Sequence, residues 1–462
     1  MQTASEWAQT NFGTCDLGDK RRTRRIVKVA EEIAAKPAAG LAYQFEHWGD
    51  LKAAYRLFDS ERVTFEAVAR PHWELTKQRA QGRTLIINDT TELDFDGRRD
   101  IEGLGPVGNG SGRGFLLHNA LMVDATTQEI LGIAGQAIHY RKQKSKQKKT
   151  RLNASQRLKL DRESEVWGKL IVQIGRPSEQ ASYVHVCDRG ADNFEVYCHL
   201  IQQDCDWVIR ASKLSRKVLT GDSQEPQPLS DLLPHFPVVG RYVLNLRARP
   251  SQAARKAELE VRVGKIRVPR PLHVSPWVRG LQQAPIAMNV IEVVEVNPPK
   301  DVTPIRWVLF TSLSVRTFKE AWTVIEYYEQ RWLVEEYHKA LKTGCRSEAV
   351  QLKAASRLEA FIGLTSVLAV HLLQLKSIAR QSPQTPAKSI VPAILLQMLK
   401  LARKKPIDIE GMTAGQFFRE LAKLGGFLGR KGDGEPGWLT LWRGWEKLNM
   451  FLYAAKKLKG HA

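Results

Sequence analysis

Two short apolar runs that each lead into an aspartate constrain the fold of this chain more than any other feature. Residues 85–88 are Leu-Ile-Ile-Asn before Asp89, and residues 183–187 are Tyr-Val-His-Val-Cys before Asp188. Such runs are typical of buried strands. A charge at the end of a buried strand needs a partner or a chemical role. The sequence therefore predicts two central strands with a carboxylate at the end of each.

The pattern around these runs predicts a mixed α/β sheet, because strands and helices alternate along the chain. Further strands are expected at 115–124, 129–139 and 207–210, and helices at about 155–173 and from about Asn193.

Helical patterns flank the sheet region. Residues 1–75 are expected to be largely helical, with the basic cluster 20–25 at the start of one helix. Residues 213–312 alternate β-rich pieces with proline-rich turns, so we interpret them as a β-rich insertion. Helical patterns then run from 318 to 342 and dominate to the end of the chain. The predicted organisation is a helical region 1–75, an α/β core 76–345 that contains the insertion, and a helical region 346–462.

Basic residues strongly outnumber acidic ones. The 70 Lys and Arg against 49 Asp and Glu give a formal net charge of +21 and a pI near 9.8. This excess predicts a polyanionic partner, and nucleic acid fits best because each neutralised phosphate releases counterions. From charge alone, a basic enzyme or a membrane-surface protein is the alternative.

The cysteines and the most apolar stretch bear on the compartment. Five cysteines without a C-x-x-C pair favour a reducing cytosol, and the N-terminus lacks the pattern of a signal peptide. The stretch 360–375 is short for a bilayer span of about 20 residues and contains His371 and Gln374, so it predicts a buried helix. We expect a cytoplasmic protein that has no membrane partner.

The predicted helix 318–342 carries a polar face. Tyr328, Arg331, Glu335 and Lys342 fall within roughly 60° of one another at about 100° per residue, and Trp332 and Lys339 accompany them. A solvated surface is the usual meaning of such a face. The two upstream aspartates favour a site instead, because carboxylates from two strands and a helix suit Mg²⁺ or Mn²⁺. Two such ions could drive in-line phosphoryl transfer on a nucleic-acid backbone.

The spacing Tyr328-x-x-Arg331-x-x-x-Glu335-x-x-x-x-x-x-Lys342 resembles the signature of the insertion-sequence-four family of DNA transposases. The likeness is collinear over nearly the whole chain and includes residues 17–23, 88–91, 186–192, 306–309, 424–427 and 442–445.

The resemblance implies a ribonuclease H-like catalytic core with a β-rich insertion. It makes Asp89, Asp188 and Glu335 a DDE triad that holds two divalent metal ions, Mg²⁺ or substituting Mn²⁺, with the insertion between the last two. Residues 1–75 would bind transposon ends, and residues 346–462 would carry the contact of a homodimer. Such enzymes work in bacterial cytoplasm, associated with the nucleoid when bound to DNA, and need no organic cofactor.

The resemblance also assigns DNA contacts. Tyr328, Arg331 and Lys342 would hold phosphates near the cleaved bond, and Lys339 lies on the same predicted face. Trp307 would stack on a flipped base, although a core tryptophan is the alternative. Arg210, Arg21 and Arg22 are further candidates for DNA contact.

The implied reaction is cut-and-paste transposition. Water nicks one strand, the freed 3′-OH attacks the opposite strand to form a hairpin, water reopens the hairpin, and the 3′ ends are joined to target DNA. A non-catalytic DNA-binding regulator and a structure-specific nuclease are the rival functions.

Two acidic residues need separate treatment. Glu336 points about 100° away from Glu335 on a helix, which favours Glu335 as the ligand. Asp192 follows Asp188 by one turn, so it could approach the metals or cap the next helix, and both roles stay open.

Overall fold

The structure, a computed structural model, covers most of the chain. It describes residues 2–95, 101–142, 163–221, 223–246, 248, 253–281, 284–300, 302–381, 383–403 and 406–460. Most of the basic run 141–151 and the first part of the helix predicted at 155–173 lie outside these residues.

The N-terminal region is helical, as predicted. The Asp19 side chain caps the helix that the basic cluster begins, because it accepts a hydrogen bond from the Arg21 backbone N–H at 2.7 Å. The helices are α1 (Ala4–Phe12), α2 (Lys20–Ala35), α3 (Trp48–Phe58) and α4 (Phe65–Gln78), with a short turn Leu41–Gln44.

Ten strands of the described residues form one mixed sheet. The order is β4-β3-β1-β5-β6-β10-β9-β8-β7, and β2 pairs with the start of β3. β1, β5 and β6 run parallel, and the other pairs are antiparallel. The strands are β1 (Gly82–Asp94), β2 (Gly105–Val107), β3 (Gly112–Asp124), β4 (Ile130–His139), β5 (Ala181–Cys187), β6 (Asp206–Arg210), β7 (Val238–Leu246), β8 (Arg255–Val268), β9 (Ile286–Glu295) and β10 (Arg306–Thr311).

The β-rich segment continues the central sheet. Its last strand, β10, pairs with β6, and Leu309 lies opposite Arg210. β9, β8 and β7 then extend the sheet outward by antiparallel pairing. The insertion therefore widens the sheet beside β6, next to the end of β5 where Asp188 lies.

Helices cover both faces of the sheet and form the C-terminal region. α5 (Glu165–Ile174) and α6 (Phe194–Gln202) pack on one face, whereas α7 (Phe318–Glu329) and α8 (Trp332–Lys339) pack on the other. The remaining helices of more than five residues among those described are α9 (Ala355–Gln381), α10 (Ala393–Ala402), α11 (Ala414–Leu424) and α12 (Trp438–Gly460).

The apolar helix α9 lies at the centre of the hydrophobic core. Within the described residues, Ala355–Leu375 is long and apolar enough to cross a membrane, but 89% of its most apolar window is buried inside the protein. α9 packs against α4 and β4, and its apolar side chains join one cluster with those of the N-terminal helices and the sheet. The predicted buried helix is thus the element against which both the N-terminal helices and the sheet pack.

The continuous helix predicted over 318–342 is wrong. α7 ends at Glu329, α8 begins at Trp332, and a π-helical turn follows at Ala340–Gly344. At the break, the Arg331 N–H donates to the Tyr328 carbonyl at 3.0 Å, an i to i−3 bond that tightens the turn. Tyr328, Arg331, Glu335 and Lys342 therefore do not all lie on one 60° face of a single helix.

Candidate active site

Asp89 and Asp188 lie at the same level of the sheet. The parallel ladder between β1 and β5 ends with Asn88 opposite Cys187, so the next residue of each strand is an aspartate. The prediction that Asp89 ends its strand is wrong, because β1 continues to Asp94 by pairing with β3. What stops at Asp89 is the pairing with β5, and that frees the space beside the two carboxylates.

Side-chain alternation places four predicted site residues on the face that α7 and α8 cover. Ile87, Val186, Val208 and Leu309 are all buried in the cluster on that face. Side chains two residues apart on a strand share a face. The same face therefore receives Asp89, Asp188, Arg210 and Trp307.

Local backbone geometry fixes the two aspartates. The Thr90 N–H donates to Asp89 Oδ1 at 2.8 Å, and the Gly190 N–H donates to Asp188 Oδ1 at 2.8 Å. Asp188 itself begins the short 3₁₀ turn Arg189–Ala191 that follows β5. One oxygen of each carboxylate is thus held by backbone.

Arg331 bridges two of the three predicted metal ligands. Its Nη1 lies 3.0 Å from Asp89 Oδ2, and its Nη2 lies 2.5 Å from Glu335 Oε1. Arg331 directly precedes α8, and Glu335 follows it by one turn, so the break before α8 brings the guanidinium over β1. The resemblance assigns Arg331 to a DNA phosphate, whereas in this structure its partners are carboxylates. The sequence did not reveal this contact, since it joins positions 242 residues apart.

The three carboxylates influence one another. The pKa of Asp89 is raised from its ordinary value of 3.8 to about 6, mainly because the side chain is buried. The charges of Asp188 and Glu335 also raise this pKa, whereas the hydrogen bond from the Thr90 N–H and the charge of Arg331 lower it. A half-buried site that gathers this much negative charge favours a bound cation.

The carboxylate oxygens of Asp89, Asp188 and Glu335 are suitable ligands for a divalent metal ion, although the three side chains are not arranged around one point in this structure. Among the described residues, no three His, Cys, Asp or Glu side chains are arranged to hold one ion together. Carboxylate oxygens are the ligands that Mg²⁺ prefers. The Arg331 guanidinium supplies positive charge between Asp89 and Glu335, where a metal held by both would lie.

Tyr328 and Arg210 lie near the carboxylates, and Trp307 lies at the same end of the strands. Burial raises the pKa of the Tyr328 hydroxyl above its usual range, and the charge of Arg210 and its hydrogen bond to Tyr328 partly offset this rise. Trp307 is two residues beyond the Leu309–Arg210 pair, towards the sheet edge where Asp188 lies. It is partly buried against the core, so both a core role and a base-stacking role are compatible with its position.

The other predicted DNA contacts are more distant or exposed. Lys339 is exposed at the end of α8, and Lys342 lies in the π-helical turn with its Nζ 3.6 Å from Glu348 Oε1. Arg21 is exposed on α2, whereas Arg22 Nη1 donates to the Leu17 carbonyl at 3.0 Å.

Asp192 does not cap the start of α6, and the partners of its carboxylate lie outside the carboxylate cluster. Its Oδ2 accepts hydrogen bonds from the Ser212 N–H and Oγ at 2.7 and 2.8 Å, and Tyr197 donates to its Oδ1 at 2.9 Å. Arg216 pairs with the same carboxylate at 2.5 Å. Asn193 is the residue that caps α6. Asp192 therefore ties the turn after Asp188 to the chain after β6.

Glu335, next to Glu336, contacts the guanidinium that also contacts Asp89. Arg331 bonds to both Asp89 and Glu335, and the charge of Glu335 is among those that raise the pKa of Asp89. The choice of Glu335 as the third ligand is therefore consistent with the observed geometry.

Family models match three segments of the chain in the order of the predicted regions. Residues 4–63 match a transposase DNA-binding model, residues 163–372 a transposase DDE domain, and residues 367–462 the dimerisation domain of the Tn5 transposase. The DDE match contains Asp188 and Glu335 and begins after Asp89. The first and third matches support DNA and a second copy of the chain as partners. Together with the mixed sheet and its flanking helices, these matches show that the chain belongs to the Tn5-like DDE transposases, metal-dependent enzymes that cut DNA and transfer its strands.

Proposed function

We propose that this protein is a cut-and-paste transposase that excises an element bounded by inverted repeats and joins its 3′ ends to target DNA. The observation that carries the proposal is the carboxylate cluster of Asp89, Asp188 and Glu335 around the Arg331 guanidinium. Residues 1–75 would bind the ends, and residues 346–462 would pair two copies in a synaptic complex.

The three carboxylates would hold two divalent ions, Mg²⁺ or Mn²⁺. Bound there, the ions would activate the attacking oxygen and stabilise the leaving oxygen of an in-line displacement. The cluster's half-buried position supports this role, because it keeps bulk water from screening the charges.

The remaining side chains would hold DNA. Arg331 would exchange its carboxylate partners for a phosphate, to which a guanidinium can donate two parallel hydrogen bonds. Tyr328, Lys339 and Lys342 would contact neighbouring phosphates, and Trp307 would stack on a base displaced from the duplex. Arg210, through its contact with Tyr328, would hold that hydroxyl in place.

The reaction would proceed through a hairpin. Hydrolysis of one strand leaves a 3′-OH on the element, which attacks the opposite phosphodiester and releases the flanking DNA. A second hydrolysis opens the hairpin, and the regenerated 3′-OH attacks target DNA. We propose that these events occur in bacterial cytoplasm on nucleoid DNA.

The test uses supercoiled plasmid that bears the element's own ends, with Mg²⁺ and the purified full chain. Wild type is expected to nick the plasmid and then give hairpin ends, whereas Asp188→Asn and Glu335→Gln should lose at least about 10³-fold in nicking rate and still bind end DNA. Glu336→Gln is the matched control and should cleave.

Full cleavage by Asp188→Asn or Glu335→Gln would overturn the assignment of the triad. Binding without nicking by wild type would favour a regulator, and cleavage to open ends without hairpins or strand transfer would favour a nuclease.

A further inference from the structure

A partly buried hydrogen bond links the two elements that carry opposite sides of the candidate active site. Asn119 on β3 lies directly opposite Asp89 on β1, so the two side chains share a face of the sheet. Asn119 Nδ2 lies 3.1 Å from Nε2 of His338, which is on α8 one turn beyond Glu335. The strand pair behind Asp89 is thus tied to the helix that carries Glu335.

The orientation of the Asn119 amide follows from its other partners. Its Oδ1 accepts a hydrogen bond from Gln136 Nε2 at 2.7 Å, and its Nδ2 donates to the Leu117 carbonyl at 3.1 Å. The same Nδ2 can only donate, so His338 Nε2 must accept from it. His338 is therefore neutral and carries its proton on Nδ1.

The surroundings of His338 support this assignment. Burial, with smaller effects from Lys342 and Arg331, lowers the pKa of His338 to about 3. Asn119 is fully buried, and the hydroxyl of the neighbouring Tyr337 also donates to its Oδ1, at 3.4 Å. Because the neutral His338 ring accepts a single directional hydrogen bond from Asn119, this bond fixes both the distance between α8 and β3 and the rotation of α8 about its axis.

We infer that Asn119 and His338 are positioning residues that set the separation of Asp89 and Glu335 and so determine the affinity for divalent metal. The inference rests on the proposed function, in which both carboxylates are metal ligands. Arg331 holds the same two carboxylates in this structure. That bridge is released when the guanidinium moves to a phosphate, whereas the Asn119–His338 bond involves no ligand atom and persists.

The test compares three variants of the full chain. His338→Phe keeps a planar side chain and removes the acceptor, His338→Gln restores an acceptor oxygen near the position of Nε2, and Asn119→Leu removes the donor from the opposite side. Mn²⁺ affinity of the complex with end DNA is measured by electron paramagnetic resonance. The half-saturating Mg²⁺ concentration for nicking, end-DNA affinity in EDTA and Tm are measured in parallel.

His338→Phe and Asn119→Leu are expected to weaken Mn²⁺ binding and raise the half-saturating Mg²⁺ concentration about tenfold or more, as for other residues that orient metal ligands. His338→Gln should stay within about threefold of wild type, and end-DNA affinity should be unchanged in all three variants. The matched control is His72→Phe, because His72 is also buried and bonded to an asparagine, with its Nδ1 2.7 Å from Asn11 Oδ1. It should lower Tm without changing metal affinity.

Unchanged Mn²⁺ affinity in a folded His338→Phe or Asn119→Leu variant would overturn the inference. An equal loss in His338→Gln and His338→Phe, or the same metal defect in His72→Phe, would do so as well. A wild-type protein that binds Mn²⁺ but never nicks end DNA would instead contradict the proposed function and leave the Mn²⁺ comparison valid.

Discussion

Arg331 is the residue whose role the structure changes most. The family resemblance assigns it to a DNA phosphate, yet in this structure its guanidinium joins Asp89 and Glu335. Its side chain is only 20% exposed, so its charge is poorly screened and offsets much of the repulsion among the carboxylates. In the protein without DNA, Arg331 would therefore compete for the same two oxygens with a metal ion held, as proposed, by Asp89 and Glu335.

Replacement of Arg331 by alanine is therefore expected to increase stabilisation by metal. Without DNA, saturating Mn²⁺ should raise the Tm of Arg331→Ala by at least about 2 °C more than it raises the Tm of wild type, because no internal cation must be displaced. Thermal unfolding with and without Mn²⁺ measures this difference.

Arg419→Ala is the control, because Arg419 pairs with Glu435 at an exposed position in α11. It should respond to Mn²⁺ as wild type does. An equal Mn²⁺ response in Arg331→Ala and wild type would contradict the competition.

At the scale of elements, the helix break before α8 and the length of β1 decide the geometry. A straight helix over 318–342 would carry Arg331 on a single polar stripe, but the tight turn after Tyr328 reorients the chain so that α8 crosses β1. α9 supports α8 and packs closely against α4. A Cβ added at Gly363 of α9 would lie 2.9 Å from the carbonyl oxygen of Phe65 in α4.

Gly363→Ala is expected to destabilise the protein by about 1–3 kcal/mol, because the clash is with backbone and exceeds the gain of roughly 1 kcal/mol in helix propensity. Denaturant unfolding measures the change. Gly49→Ala is the matched control, since Gly49 lies in α3 with nothing within 4 Å of the added Cβ. It should be neutral or slightly stabilising, and an equally neutral Gly363→Ala would show that α4 and α9 can separate at little cost.

At the scale of the whole molecule, the net charge of +21 governs the encounter with DNA. The helical N-terminal region, the sheet and the C-terminal helices share one hydrophobic cluster, so their charges act together on one bound duplex.

Affinity for end DNA is expected to fall at least about 10³-fold between 50 and 200 mM salt, as for proteins that make several phosphate contacts. Fluorescence anisotropy in EDTA measures binding without cleavage. A flat dependence on salt would contradict a phosphate-dominated interface, and Arg21→Ala should reduce the slope by about one if that side chain contacts a phosphate.

Local sequence alone determined the elements and the chemistry of the candidate site. Apolar runs before Asp89 and Asp188 predicted two central strands, and the 328–342 signature predicted the helical glutamate. The polar-stripe prediction held for Arg331 and Glu335, which are in contact, because they are one turn apart within a short helical segment. It failed across the whole signature, because no local pattern indicated the break or the π-helical turn.

Tertiary structure alone decided which side chains meet. The continuation of β1 past Asp89, the Arg331 bridge and the Asn119–His338 bond all depend on strand register and helix placement. The Arg331–Asp89 and Asn119–His338 contacts join residues more than 200 positions apart, and their formation depends on the packing of the whole core rather than on periodicity near either residue. The aspartates and the glutamate could therefore be proposed from sequence as candidate metal ligands, whereas the residues that hold them in place could not.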